Sequence, residues 1–280
     1  MFNNNESVLN KTPKTIDELI KIAALVRLNI IKSAYKGGKG HIGSALSIVD
    51  LLVAVLSCAQ NFGTKDQDRD RVILSKGHAA LALYELLKIW IPNWSYLNNN
   101  YGESPTFLGT HPDNELDFID FATGSLGQGI TFSVGSALAG KKGNWNVFVI
   151  LSDSELNEGS TWESLSLAAH LKLNNLIIIL DNNGQQALGR TSEINQFSNL
   201  GGLINNLQID YEKINGHSLS NLTSYLKNKL LDEKRTKPLF IDAVTKSGYG
   251  VSYMQEKIEW HYKTLSEHEF VDAVNELTKK

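Results

Sequence analysis

The sequence predicts an α/β fold, a mostly parallel sheet with helices on both faces. Three observations carry it. Near-continuous apolar runs recur at RVILS (71–75), NVFVIL (146–151), NLIIIL (175–180) and PLFIDAVT (238–245), as expected of strands buried on both faces rather than one. Helix-length segments with apolar residues three and four apart lie between them. Polar and glycine-rich stretches follow the apolar runs directly, where an open parallel sheet gathers its ligands.

Each element can be justified in turn. From Thr15 to Tyr35, Ile16, Leu19, Ile20, Ala23, Leu28 and Ile31 broadly follow helical spacing, opened by the Thr15–Glu18 capping-box pattern and ended by the glycines of KGGKGH. SALSIVDLLVAVLSCA is apolar on nearly all sides and predicts one enclosed helix. Strand 71–75 leads into the helical GHAALALYELLKIW. An irregular segment from Pro92 to Asp117 then reaches TGSLGQGITFSVGSALAG, a glycine-punctuated turn entering a small-residue helix. Strand 146–151, helix 160–172 and strand 175–181 continue the alternation. Beyond an irregular Gly/Asn-rich stretch at 184–206 come strand QIDYEKI (208–214), helix NLTSYLKNKLL and strand 238–245, where the pattern ends. With no internal repeat, low-complexity linker or charge block, the expectation is one domain over 15–280 behind a loose polar tail at 1–14.

Composition narrows the function. The 280 residues, 42% of them hydrophobic, suffice for a sizeable core. A net charge of -3, a pI near 6.2 and the lack of a Lys/Arg cluster with interleaved aromatics argue against a nucleic-acid partner. The single cysteine, Cys58, excludes an internal disulfide and suits a buried helix position in a reducing cytosol. MFNNNESVLNKTPKT lacks the basic-then-apolar pattern of a secretory signal, and no window approaches the ~18 consecutive apolar residues of a membrane span. A soluble cytoplasmic protein without a membrane partner is expected.

The candidate chemistry lies at the strand ends. Asp153 after one strand and Asn182 and Asn183 after another offer oxygens to a hard cation such as magnesium, completed by ligand phosphates. Asp after a strand also suits a helix N-cap, and Asn-Asn-Gly suits a turn, so spacing leaves both readings open. Gly124, Gly127 and Gly129 precede a helix and can present backbone N–H groups to a phosphate, or simply permit a tight turn. His41, His78, His111 and His261 sit beside Gly, Pro or Trp in loop-like contexts, where imidazole can move protons or recognise sugar hydroxyls. Each alone equally suits a structural hydrogen bond. His170, His217 and His268 are assigned no role.

In order over residues 15–262, KGGKGHIGSALSIVDLL, RDRVILSKGHAALALY, TGSLGQGI, SDSELNEGSTWES with LDNNGQ, and KSGYGVSYMQEKIEWH resemble segments of the N-terminal, diphosphate-binding half of transketolases. The resemblance implies the thiamine diphosphate-binding fold and transfer of a two-carbon ketol unit from a ketose phosphate to an aldose. It implies magnesium (or calcium) bound by the Asp153 and Asn183 side chains and the Gln185 backbone carbonyl. Gly124 and Leu126 would line the diphosphate site, with Ser154 inside the cofactor motif. His41, His78, His111 and His261 would face the cofactor ring and the sugar, His78 and His261 touching the cofactor. Glu158 matches a carboxylate near the cofactor and the subunit contact.

In that family a second domain completes the site, so the resemblance implies a separate C-terminal subunit, as an α2β2 assembly, and sugar phosphate substrates. Ser152 and Ser154 replace the motif's two glycines, Ile42 a proline and Tyr262 a glycine, and NELDFIDFATG replaces a shorter approach to the turn. These departures leave two alternatives, a thiamine-dependent acyloin synthase or 2-oxo acid enzyme subunit, and a non-catalytic binding or regulatory paralogue.

Overall fold

A computed structural model describes residues 14–94, 96, 100–103, 108–195 and 197–279. All but the last residue of the expected tail, and parts of the 92–117 segment, lie outside them. Helix α1 (Ile16–Gly37) starts at the predicted capping box, in which Glu18 N–H donates to Thr15 Oγ1 (3.3 Å) and Thr15 N–H to Glu18 Oε2 (2.7 Å). It ends at Gly38, whose φ of 56° closes the helix in the left-handed region.

The apolar segment that follows is two helices, not one: α2 (Ile42–Ser47) and α3 (Val49–Cys58), broken at Ile48. The break adjoins Ser47, whose hydroxyl lies 3.0 Å from Ser44 O and 2.7 Å from Asp181 Oδ2 at the centre of the molecule. Then come β1 (Arg71–Leu74), α4 (Ala80–Trp90), α5 (Gln128–Gly143), β2 (Val147–Ser152), α6 (Gly159–His170) and β3 (Leu176–Asn182). The stretch expected to be irregular holds a small hairpin, β4 (Gln185–Gln186) and β5 (Gly189–Arg190), and two short helices, α7 (Thr191–Ile194) and α8 (Leu200–Asn206). Last are β6 (Asp210–Asn215), α9 (Leu219–Leu230), β7 (Leu239–Val244) and α10 (Glu267–Thr278), the last lying beyond the predicted pattern.

The five long strands form one parallel sheet in the order β1-β2-β3-β7-β6. Alternation along each strand separates two cores. Phe148, Ile150, Ile177, Ile179 and Ile241 pack with α1, α3, α4 and α9, while Val147, Val149, Leu151, Ile178 and Leu180 pack with α5, α6 and α8. The sheet is therefore covered on both faces, as the apolar runs predict. No described helix is long and apolar enough to cross a membrane.

Candidate functional site

The carboxyl ends of β1, β2, β3 and β7 converge on a buried ion pair. Lys76, just past β1, and Asp181, near the end of β3, are both fully buried and in contact. Asp181 Oδ2 also accepts from Ser47 (2.7 Å) and from Asn183 Nδ2 (3.0 Å), and its Oδ1 from Thr245 Oγ1 past β7. Three distant chain segments and the neighbouring Asn183 are thus tied to one carboxylate. Ionised partners and several donors are what make a charge tolerable in such a place.

A second buried carboxylate, Glu155, ties the strand ends to the glycine turn. It accepts from Ser75 Oγ, from Gly127 N–H (3.0 Å) and from Ser152 N–H (2.9 Å). Burial raises its pKa against these donors. Gly127, at φ 77°, initiates α5, and a Cβ there would lie 2.9 Å from Glu158 Cβ. At Gly129 a Cβ would lie 2.6 Å from Ser75 Cα, so only glycine lets α5 approach β1 this closely. Thr123 Oγ1 donates to Leu74 O (2.6 Å) and pins the other end of the turn.

Asp153 opens the 3₁₀ turn Asp153–Asn157 after β2. Its Oδ2 accepts from Thr191 Oγ1 (2.7 Å). Its Oδ1 is buried with no partner. Burial pushes its carboxyl up to about 6, with the neighbouring Asp181 charge adding to the rise and Thr191, Lys76 and Gly184 opposing it. Asn183 turns back on itself, Oδ1 accepting Gln185 N–H (2.9 Å). Among the described residues no three His, Cys, Asp or Glu side chains converge as a metal site. A cation here would have to draw on the orphan Asp153 oxygen, carboxamide and backbone oxygens, and the phosphates of its ligand, a donor set that suits magnesium.

The histidines gather beside this point. His41 holds a left-handed φ of 62° at the N-terminus of α2, its N–H donating to His261 O (2.9 Å). Its ring centre lies 5.4 Å from that of His78 and 5.0 Å from that of His261, and His78 and His261 are 5.4 Å apart. All three line a cleft of about 410 Å³ with Gly124, Leu126, Ser154, Glu158 and Tyr262. His111 is not in that lining; a Cβ on Gly124 would lie 3.2 Å from its ring. Asp153 opens instead on an adjoining cavity of about 560 Å³ with Asn182, Gly184 and Thr191, so the 153–157 turn contributes to both. Ser152 Oγ and Ser154 Oγ, at the motif's glycine positions, are 3.1 Å apart.

Burial lowers all three clustered imidazoles. His261 falls to about 4, next by the neighbouring His41 and Lys76; His78 falls well below its ordinary range, next by Lys76; and His41 falls, next by His111. The cluster is neutral at pH 7 and able to accept protons or donate from one nitrogen. The folded value of His261 lies below its ordinary 6.5, so the unfolded chain binds its proton first on acidification. The stability it contributes is full above pH 6.5 and lost as pH falls toward about 4, on the order of 1–2 kcal/mol after allowance for partial exposure. Urea midpoints should fall across that window, and fall less for His261→Gln; equal slopes would contradict this.

A parallel α/β domain with a neutral histidine cluster and a half-partnered buried aspartate at its carboxyl edge defines a class of ligand-binding domain. The chain belongs to the transketolase family: residues 18–278 match the family model described as "Transketolase, thiamine diphosphate binding domain". It is 30% identical over 259 residues to an apulose-4-phosphate transketolase subunit of Phocaeicola vulgatus, covering 91% of this chain and 92% of that one. To 6-deoxy-6-sulfo-D-fructose transketolase subunit SqwG of Clostridium sp. it is 32% identical over 266 residues, covering 92% and 95%. The transketolase of Campylobacter jejuni superposes with a TM-score of 0.83 at 25% identity, over 95% of this chain and 43% of that one. The chain thus spans less than half of the larger transketolase but nearly all of the two shorter transketolase subunits.

Sequence patterns assign no role to Lys76, Asp181, Thr245 or Glu155. One signal exists for Glu155, since Ser152-x-x-Glu155 has capping-box spacing. Lys76 and Asp181 offer none, because their pairing spans 105 positions.

Proposed function

We propose that this chain is the N-terminal subunit of a split transketolase-like enzyme, transferring a two-carbon ketol unit from a ketose phosphate to an aldose. The observation that carries the reading is the convergence of His41, His78 and His261 on one cleft beside the orphan Asp153 oxygen and the Asn183 turn. The near full-length likeness to transketolase subunits supports it. When bound, thiamine diphosphate supplies the nucleophilic carbon and the electron sink for carbon–carbon cleavage.

The residues around it have separable tasks. Asp153 and Asn183 hold magnesium or calcium by side chain and Gln185 by its carbonyl, so that the ion neutralises diphosphate charge. Gly124 and Leu126 line the diphosphate, and Ser154 places a hydroxyl where the family's glycine has none. His78 and His261 contact the cofactor. With His41 and His111 they orient sugar hydroxyls and exchange protons, a task suited to imidazoles kept neutral by burial. Glu158, against Gly127, lies at the subunit contact.

The same reading takes residues 15–280 as one domain, supported by a single sheet packed on both faces, and places the protein in the cytoplasm. It also requires a separate C-terminal subunit, in an α2β2 assembly, to complete the site. The test is co-expression with a candidate C-terminal subunit, followed by magnesium-dependent thiamine diphosphate binding and ketol transfer between sugar phosphates. Cofactor binding by the complex is expected, and transfer by the complex alone. No binding by the complex would overturn the catalytic reading, and turnover of pyruvate alone would favour the 2-oxo acid alternative.

A further inference from the structure

His217, at the exit of β6, is left unused by the proposed function, yet both of its ring nitrogens are engaged and its ring is stacked. Its Nε2 lies 2.9 Å from the backbone nitrogen of Lys246, which can only donate. That ring nitrogen must therefore carry a lone pair. The proton of the neutral ring then sits on Nδ1, 2.9 Å from Asp50 Oδ2, the oxygen that Arg27 also binds. The Tyr249 ring stacks on the imidazole with centres 3.5 Å apart and planes within 10°, and the Arg27 guanidinium lies over the same tyrosine. Asn215 Oδ1 accepts His217 N–H (3.0 Å), and Gly216 N–H donates to Val244 O (2.8 Å).

What this network holds is the chain leaving β7. Thr245 stands one residue before the bonded amide. It gives its N–H to Asn182 O (3.1 Å) and its hydroxyl to Asp181, while Asp181 takes the Asn183 carboxamide. Two residues beyond, Gly248 N–H donates to Gly43 O (3.0 Å) in α2, the helix that starts at His41. We propose that His217 is a positioning residue for the diphosphate end of the site. Through the Lys246 amide it fixes Thr245, and through Thr245 the Asp181–Asn183 pair, so that Asn183 stands ready for the cation. The inference rests on the proposed cofactor reading.

Two substitutions separate this from packing. In His217→Gln the amide oxygen reaches the place of Nε2 and can still accept from Lys246. In His217→Asn the amide nitrogen can still reach Asp50, but nothing reaches Lys246. Both lose the stack on Tyr249, so both should melt at similarly lowered temperatures. In the full chain, amide exchange at Lys246 and calorimetric binding of magnesium pyrophosphate are the readouts. The Asn variant is expected to exchange about tenfold faster and bind about fivefold more weakly than the unaltered chain, and the Gln variant to stay within about twofold on both. Equal behaviour of the two variants, or an Asn variant matching the unaltered chain, would overturn the positioning role alone. An unaltered chain with a protected Lys246 amide and no pyrophosphate binding would overturn the diphosphate reading, and this inference with it.

Discussion

Asp153→Asn is expected to weaken magnesium-dependent thiamine diphosphate binding by the assembled complex about a hundredfold, while making the metal-free chain more stable at pH 7. The two effects have one cause. Asp153 is buried with one oxygen unpartnered, and its carboxyl is pushed up to about 6 from an ordinary 3.8. A folded value above the unfolded one means that the metal-free chain holds its full stability below pH 3.8 and loses some as pH rises to about 6, on the order of 2 kcal/mol. The amide keeps the shape and an acceptor for Thr191 without the charge, so that loss should vanish. The histidine cluster acts oppositely in an overlapping pH range and is common to both proteins. The difference between their urea-midpoint curves therefore isolates Asp153. A cation bound as proposed would reverse the balance by stabilising the carboxylate. Unchanged affinity, or a destabilised metal-free variant, would contradict the assignment.

The cost of such a group is borne by a fold that was largely legible from the residues. Strands β1, β2, β3 and β7 fall within two residues of the predicted runs, because each buries apolar side chains and so needs an apolar sequence; the edge strand β6 does so too, although none of its residues is fully buried. Other elements were hidden for identifiable reasons. In α8 only Leu200 and Ile204 are buried, and Gly201 and Gly202 mask the helix; Gly201 is small because a Cβ there would lie 2.8 Å from the Tyr211 ring. Helix α10 is different: its capping box at Ser266 and Glu269 and the helical spacing of Phe270, Ala273, Val274 and Leu277, which pack against the core, are legible, but it follows the last strand and so lies outside the strand–helix alternation. The break at Ile48 adjoins Ser47, whose bond to Asp181 is a tertiary contact that local propensity does not contain.

The candidate site divides the same way. Local signals pointed to Asp153, Asn183 and the glycine turn, since strand ends and turns are local features. The three clustered histidines come from positions 41, 78 and 261, and only folding shows that their rings meet while His111 stays outside the cleft lining. Glu155 and His217 illustrate a harder case. Each works through bonds to backbone N–H groups of distant segments, Gly127 for one and Lys246 for the other, and a backbone donor leaves no mark in the sequence.

The Lys76–Asp181 pair is the extreme of that case, and its removal should give the largest stability change in the chain. Asp181→Ala is expected to lower the unfolding free energy by about 3–5 kcal/mol, measured by urea denaturation, because it leaves an unexposed ammonium without the carboxylate it contacts. It also strips the acceptor from Ser47, Asn183 and Thr245. Lys76→Met should cost less, since the remaining carboxylate keeps those three donors. It is not neutral, however: Lys76 also holds down the carboxyls of Asp153 and Glu155, which would both rise without it. Replacing both partners, as Lys76→Met with Asp181→Leu, should recover part of the loss, because apolar residues of similar size avoid the desolvation that the charges require. Single variants within about 1 kcal/mol of the unaltered chain would place the pair at the level of an exposed ion pair and contradict its burial. The ordering also has a functional corollary. If the double variant is stable yet fails to bind magnesium pyrophosphate, the pair exists to orient Asn183 rather than to hold the fold, for its Oδ2 is the one contact that joins the ammonium, the carboxamide and α2 at a single atom.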